Sequence, residues 1–255
     1  MNDMHRRPRP KGARIEATDS PQVTLDPEIV SRFSHQLRSL LTSVGAAADY
    51  LLHNEIERGV QDEMLGIISE QATRIDGLLD DFLVLANPRP GGSGTPSAVN
   101  LYQITRQVVR ELAGEAQSAG AWLVLDTAGA IPPVLGHHQP LQQAITGALR
   151  AVLSLTRPGE RVVARLEDAR GDNGEKLIQF SVIVQSDAPD LGDRSGRFAP
   201  TDLALEAASR ISEEHGGSFE VLEDQLGLAC LLPVASLELH SAAALSGHSR
   251  IQAAG

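Results

Sequence analysis

His35, Arg38 and Ser39 lie in the run Phe33-Ser34-His35-Gln36-Leu37-Arg38-Ser39-Leu40-Leu41-Thr42, the stretch of this sequence best equipped for chemistry. An imidazole near its unperturbed pKa is partly neutral at physiological pH and acts as nucleophile, base or metal ligand. Three residues on, Arg38 brings a guanidinium able to contact a phosphate or a docking protein. For each of the three, the alternative is a solvated side chain on a helix surface.

The element that positions them is a helix. At roughly 100° per residue, Ile29, Phe33, Leu37, Leu40, Leu41, Val44, Ala48 and Leu51 form one apolar stripe. His35 then lies about 180° away, sharing its face with Ser39 and Thr42. Asp26 is the expected N-cap, the helix runs to about Asn54, and Gly59 falls in the turn. A second helix, Val60 to Ala86, repeats Met64, Ile68, Ala72, Ile75, Leu79, Phe82 and Ala86 at spacings of four and three. Such a hairpin leaves its seam half uncovered, and pairing two copies into a four-helix bundle buries it, so a homodimer is expected.

The rest of the chain follows in order. Residues 1–25 form a basic, Pro-containing arm carrying Arg6, Arg7, Arg9, Lys11 and Arg14, read as disordered. Residues 26–87 are the hairpin, and the Pro/Gly-rich stretch 88–99 is a linker. Residues 100–235 alternate helical and extended patterns: helices from Leu101 to Ala116, Gln139 to Leu155 and Thr201 to His215, and strands at Trp122 to Leu125, Arg161 to Glu167, Lys176 to Val184, Ser218 to Leu222 and Leu226 to Leu232. Helices grouped with a mostly antiparallel sheet give an α+β sandwich. Residues 236–255 read as a tail.

Composition narrows the class. With 255 residues and 42% hydrophobic content, the chain can build one large or two modest cores. The net charge of −11 and 3% aromatic content disfavour nucleic acid and anionic lipid as partners. Cys230, the single cysteine, reads as a core residue in a strand, and no Cys/His cluster has zinc-ligand spacing. No run approaches the roughly 18 apolar residues of a membrane span, so the expectation is a cytoplasmic protein with no membrane partner. His53, His137, His138, His240 and His248 are expected at the surface and His215 in a turn.

His35-Gln36-Leu37-Arg38-Ser39 followed by Leu41-Thr42 resembles the H-box of sensor histidine kinases, His-Glu-Leu-Arg-Thr-Pro-Leu-Thr, with Gln36 in place of the acid and Leu40 in place of the proline. The hairpin, the linker and the element order from Leu101 to Pro233 resemble that family's dimerisation and Bergerat-type ATP-binding domains. The resemblance makes His35 the phosphoacceptor and Ser39 the residue that positions water for dephosphorylation. It also implies a response-regulator receiver domain as partner, supplying Mg²⁺ and much of the transfer chemistry.

The nucleotide motifs depart from the family pattern. Matching Leu141-Gln142-Gln143 to the start of the N-box helix puts Gly147 and Ala151 at its two Asn positions and Ser154 at its Lys position. Ser186-Asp187-Ala188-Pro189-Asp190 replaces Asp-x-Gly-x-Gly, and a one-residue deletion would bring Asp187 to the adenine-reading place. Asp202-Leu203-Ala204-Leu205 replaces the lid's Gly-Leu-Gly-Leu, with Gly192 and Gly196 nearby as material for an altered loop. Neutral Gln36 cannot take a proton from His35 during attack on a γ-phosphate. The expectation is a histidine phosphotransferase that uses no cofactor and no metal of its own. The rival readings are a non-catalytic pseudokinase adaptor and an ATP-dependent kinase with an unusual site.

Overall fold

Asp26 accepts the Glu28 N–H at 2.9 Å and Pro27 fills the first helical position, where no N–H is needed, so α1 runs Pro27–His53. The chain leaves it in extended backbone at Asn54 and re-enters from Glu57 into α2, Arg58–Ala86. Gly59 therefore lies in the first turn of α2 and not in the connection. This computed structural model describes residues 26–54, 57–87, 95–171, 173–186, 198, 202–222 and 225–235. The basic arm, linker residues 88–94, Asp187, Gly192, Gly196 and the tail fall outside them.

The last three residues of the expected linker form β1, Ser97–Val99, which pairs antiparallel with β3, Val134–Gly136. Between them come α3 (Leu101–Glu111), α4 (Ala113–Ser118) and β2 (Trp122–Thr127). The helix expected across 101–116 bends at Leu112, yet the Leu112 N–H still reaches the Val108 carbonyl and the Ala116 N–H the Leu112 carbonyl. Then follow α5 (His138–Leu155), β4 (Arg161–Arg170), β5 (Lys176–Gln185), α6 (Leu203–Glu214), β6 (Ser218–Val221) and β7 (Gly227–Pro233). The main sheet has the order β2-β4-β5-β7-β6, antiparallel except for β2 on β4. Helices α3, α5 and α6 pack on it, so the chain is the expected α+β combination of helical hairpin and α/β sandwich.

The two parts share one core. Ile29 of α1 and Leu78, Val84 and Leu85 of α2 are buried together with Leu203, Leu205 and Ala208 of α6. The seam expected on α2 is half covered within one chain, with Met64, Ile68, Ile75 and Phe82 half-buried and Ala72 and Leu79 exposed, and beside it Leu78, Val84 and Leu85 form a second, buried stripe that the pattern did not predict. On α1, Leu41 is also exposed, whereas Phe33, Leu37 and Leu40 pack against the core. The reason is that α2 has two partners. One side meets α1, where Phe33 and Phe82 stack with centroids 4.2 Å apart, and the other meets α6.

His215 lies in the turn expected for it, whereas His137 corrects the expectation of a surface residue. His215 ends α6 but is buried: its Nδ1 lies 2.6 Å from the Ile211 carbonyl and its Nε2 accepts the His137 N–H at 3.1 Å. His137, expected at the surface, is half-buried beside it. Gly136 packs against the imidazole so closely that a Cβ would collide with the ring. Burial lowers the His215 pKa, which matches a neutral ring donating from Nδ1 and accepting at Nε2.

Candidate functional site

The outer face of α1 presents His35, Arg38 and Ser39 as exposed residues. Ser34 and Thr42 turn their hydroxyls back to the Val30 and Arg38 carbonyls at 2.8 Å each. Ser39 lies one helical turn from His35, with Arg38 one residue before it.

One residue round from His35 the surface turns inward. Gln36 and Ser39 line a cleft of about 1070 Å³ between the hairpin and the sandwich, whose far wall includes Gln143, Gly147, Arg150 and Asp202. Among the described residues, several bonded contacts cross between the two parts. Arg32 Nη2 meets Glu206 Oε2 at 2.6 Å; Gln143 Nε2 donates to Asp81 Oδ1 at 3.0 Å; and Arg210 donates to the Leu85 and Asn87 carbonyls at 2.7 and 2.6 Å.

The charges in this cleft are not relaxed. Burial raises the Asp81 pKa from 3.8 to about 6, with Asp202 and Asp80 adding to the rise and the Gln143 bond and Arg150 opposing it. Asp202 is raised as well, again by burial, against hydrogen bonds from the Ala204 and Leu205 N–H groups. Its carboxylate accepts the Ala204 N–H at 3.0 Å and so caps α6. Opposite it, Gly147 is so close to α6 that a Cβ would lie 3.3 Å from the Ala204 carbonyl oxygen. Ala151 is buried, and Ser154 turns its hydroxyl to the Ala151 carbonyl at 2.8 Å. Among the described residues, no group of three His, Cys, Asp or Glu side chains is arranged to hold a metal ion.

Sequence reasoning missed Arg32, Asp81, Gln143, Glu206 and Arg210. A signal existed for one of them: Asp81 shares a helix face with Leu78 and Leu85, an acid on an apolar stripe. For Arg32 and Glu206, polar residues on amphipathic helices, nothing local marks a partner 174 positions away. Cys230 is where it was expected, buried in β7 beside the Ser212 hydroxyl, and burial pushes its thiol up to about 11.

No protein-family model matches the chain. Drug sensory protein A of Synechocystis is 23% identical over 165 residues, covering 61% of this chain and 24% of that protein, so the match spans about a quarter of the relative's length. Among solved structures, the histidine kinase AdeS of Acinetobacter baumannii superposes with a TM-score of 0.54 at 12% identity, covering 79% of this chain and 98% of that one. Histidine kinase ThkA, solved in complex with response regulator protein TrrA, gives 0.57 at 16% identity, covering 82% and 62%. No described helix is long and apolar enough to cross a membrane. The chain thus has a histidine kinase-like fold, in which a hairpin of the dimerisation and phosphoacceptor type is joined to an ATPase-type α/β sandwich.

Proposed function

We propose that this chain is a homodimeric histidine phosphotransferase of two-component signalling, in which His35 takes a phosphoryl group from the aspartyl phosphate of one receiver domain and passes it to another. The unprotonated imidazole nitrogen forms the N–P bond as the acyl P–O bond breaks. Aspartate leaves as its carboxylate, and the other ring N–H can release its proton to water. Arg38, exposed on the next turn, neutralises the phosphoryl oxygens, and Ser39 orients water when the group is hydrolysed. The complex of ThkA with a response regulator supports a receiver as the partner.

Asp202 carries the nucleotide-independent part of the proposal. A triphosphate is best received at a helix N-terminus, where bare N–H groups point outward, but the Asp202 carboxylate already occupies that end of α6. Its charge repels a polyphosphate in a partly dry cleft. Gly147 and Ala151 bring no oxygen for magnesium, and an Asn side chain at Gly147 would press on α6. These residues do not fit a magnesium nucleotide, so the sandwich acts as a docking and regulatory domain.

The test is transfer from phosphorylated receivers of the host. Acid-labile label is expected on the wild type and none on His35→Gln. The variant should bind the receiver within about tenfold of wild type, because the docking helix keeps its shape. Tight receiver binding with no label on His35 would replace transfer by an adaptor role.

A further inference from the structure

We infer that Arg32 couples the phosphorylation state of His35 to docking of the sandwich, by exchanging Glu206 for the phosphoryl group; this rests on His35 being the phosphoacceptor proposed above. Arg32 is the α1 member of the ion pair that ties the hairpin to α6, at 2.6 Å and with its own side chain 15% exposed. It precedes His35 by three residues, which puts the two Cβ atoms about 5–6 Å apart on the helix surface. A guanidinium stem covers that span without moving the backbone.

The exchange follows from charge. A phosphoryl group brings about two negative charges and three acceptor oxygens, against the single charge of Glu206. It also adds negative charge to α1 one residue from Gln36, which lines the cleft together with Asp80, Asp81 and Asp202, and this works against the docked arrangement. Arg38, three residues after His35, grips the phosphoryl group from the other end. When Arg32 turns away, α6 keeps the Arg210 bonds to the Leu85 and Asn87 carbonyls, far along α2. The sandwich then swings open at the His35 end and stays held at the linker end.

The consequence is a site that is screened on one flank before it accepts phosphate and uncovered afterwards. Gln36 and Ser39 line the cleft, so the docked sandwich stands over the side of His35 on which they lie. Coupling of this kind is reciprocal: whatever factor phosphate contributes to undocking, docking subtracts from phosphate acceptance.

The test uses the full chain and phosphoramidate, a small donor that needs no receiver; its N–P bond breaks, ammonia leaves, and the imidazole N–P bond forms. Peptide mapping reports label at His35, and hydrogen exchange reports the first turn of α6. Labelled wild type should exchange about tenfold faster there, within the usual range of coupling between sites. His35→Gln should not respond. Arg32→Gln should exchange fast from the start and gain nothing on labelling. Glu206→Gln, a milder change, should raise the equilibrium fraction of His35 labelled against a phosphorylated receiver. Label at His35 with unchanged exchange in α6 overturns the coupling and leaves phosphotransfer standing. Label at His35 from neither phosphoramidate nor a phosphorylated receiver overturns both.

Discussion

Asp202 and Gly147 show how far single residues can be read. Both were legible in the sequence as departures from the pattern it resembles, because a charge or a missing side chain needs no tertiary information to be recognised. The fold adds the reason such departures are tolerated: Asp202 became a helix cap and Gly147 a close contact, each with a structural role of its own. Magnesium ATP at millimolar concentration is therefore expected to leave the melting temperature unchanged. A ligand at a hundredfold excess over Kd would add about 2.7 kcal/mol, roughly 5–10 °C for a chain of this size. A shift of that order in a thermal scan would refute the nucleotide-independent proposal. Gln36→Glu restores the acid next to His35 but none of the missing phosphate ligands, so no label from γ-phosphate should appear on the variant. His215 was not legible in this way. Only the fold brings the His137 backbone, 78 positions away, to its ring.

At the scale of elements, α2 carried the largest difference between pattern and structure. Its period of four and three revealed one seam, but Leu78, Asp81 and Leu85 make a second contact stripe, facing α5 and α6. A pattern shows that a face is apolar and does not say whether a sister helix or another domain will cover it. Asp81 on that stripe gives the contact a pH dependence. Because burial raises its pKa to about 6, the folded state holds the proton more tightly than the unfolded one, whose carboxyl titrates near 3.8. The contribution of Asp81 to stability is fully present below the unfolded value and is lost as pH rises from about 4 through about 6, by on the order of 2–3 kcal/mol in all. Asp202, shifted the same way, adds to the trend. Asp81→Asn keeps a partner for Gln143 without the charge. It should flatten the profile between pH 4 and 7 and raise the melting temperature at pH 8 by several degrees. An unchanged slope in denaturant titrations across that range would show that Asp81 is hydrated in solution.

For the whole molecule, what the hairpin leaves uncovered matters most. Leu41, Leu52, Leu65, Leu79 and Leu83 are large apolar residues exposed on α1 and α2, more than single scattered residues need explaining. Leu65, Ala72 and Leu79 recur at seven-residue intervals on α2, the spacing of a helix-bundle seam. A second copy of the hairpin would cover them in a four-helix bundle, the dimer expected from sequence. The structure separates two residues that the sequence treated alike. Phe82 stacks on Phe33 within one chain, whereas Leu79 is 41% exposed and in the proposed dimer would contribute only across the interface. Leu79→Asp should therefore weaken self-association by about a hundredfold or more, through an unpaired charge in the buried seam, while each monomer stays folded. Phe82→Asp should instead lower the melting temperature of the chain itself, by removing a ring from the hairpin core. Sedimentation at micromolar concentration, paired with circular dichroism, distinguishes the two. Wild-type protein that sediments as a monomer would remove the bundle. Leu79→Asp that stays dimeric would move the interface to another face of the hairpin.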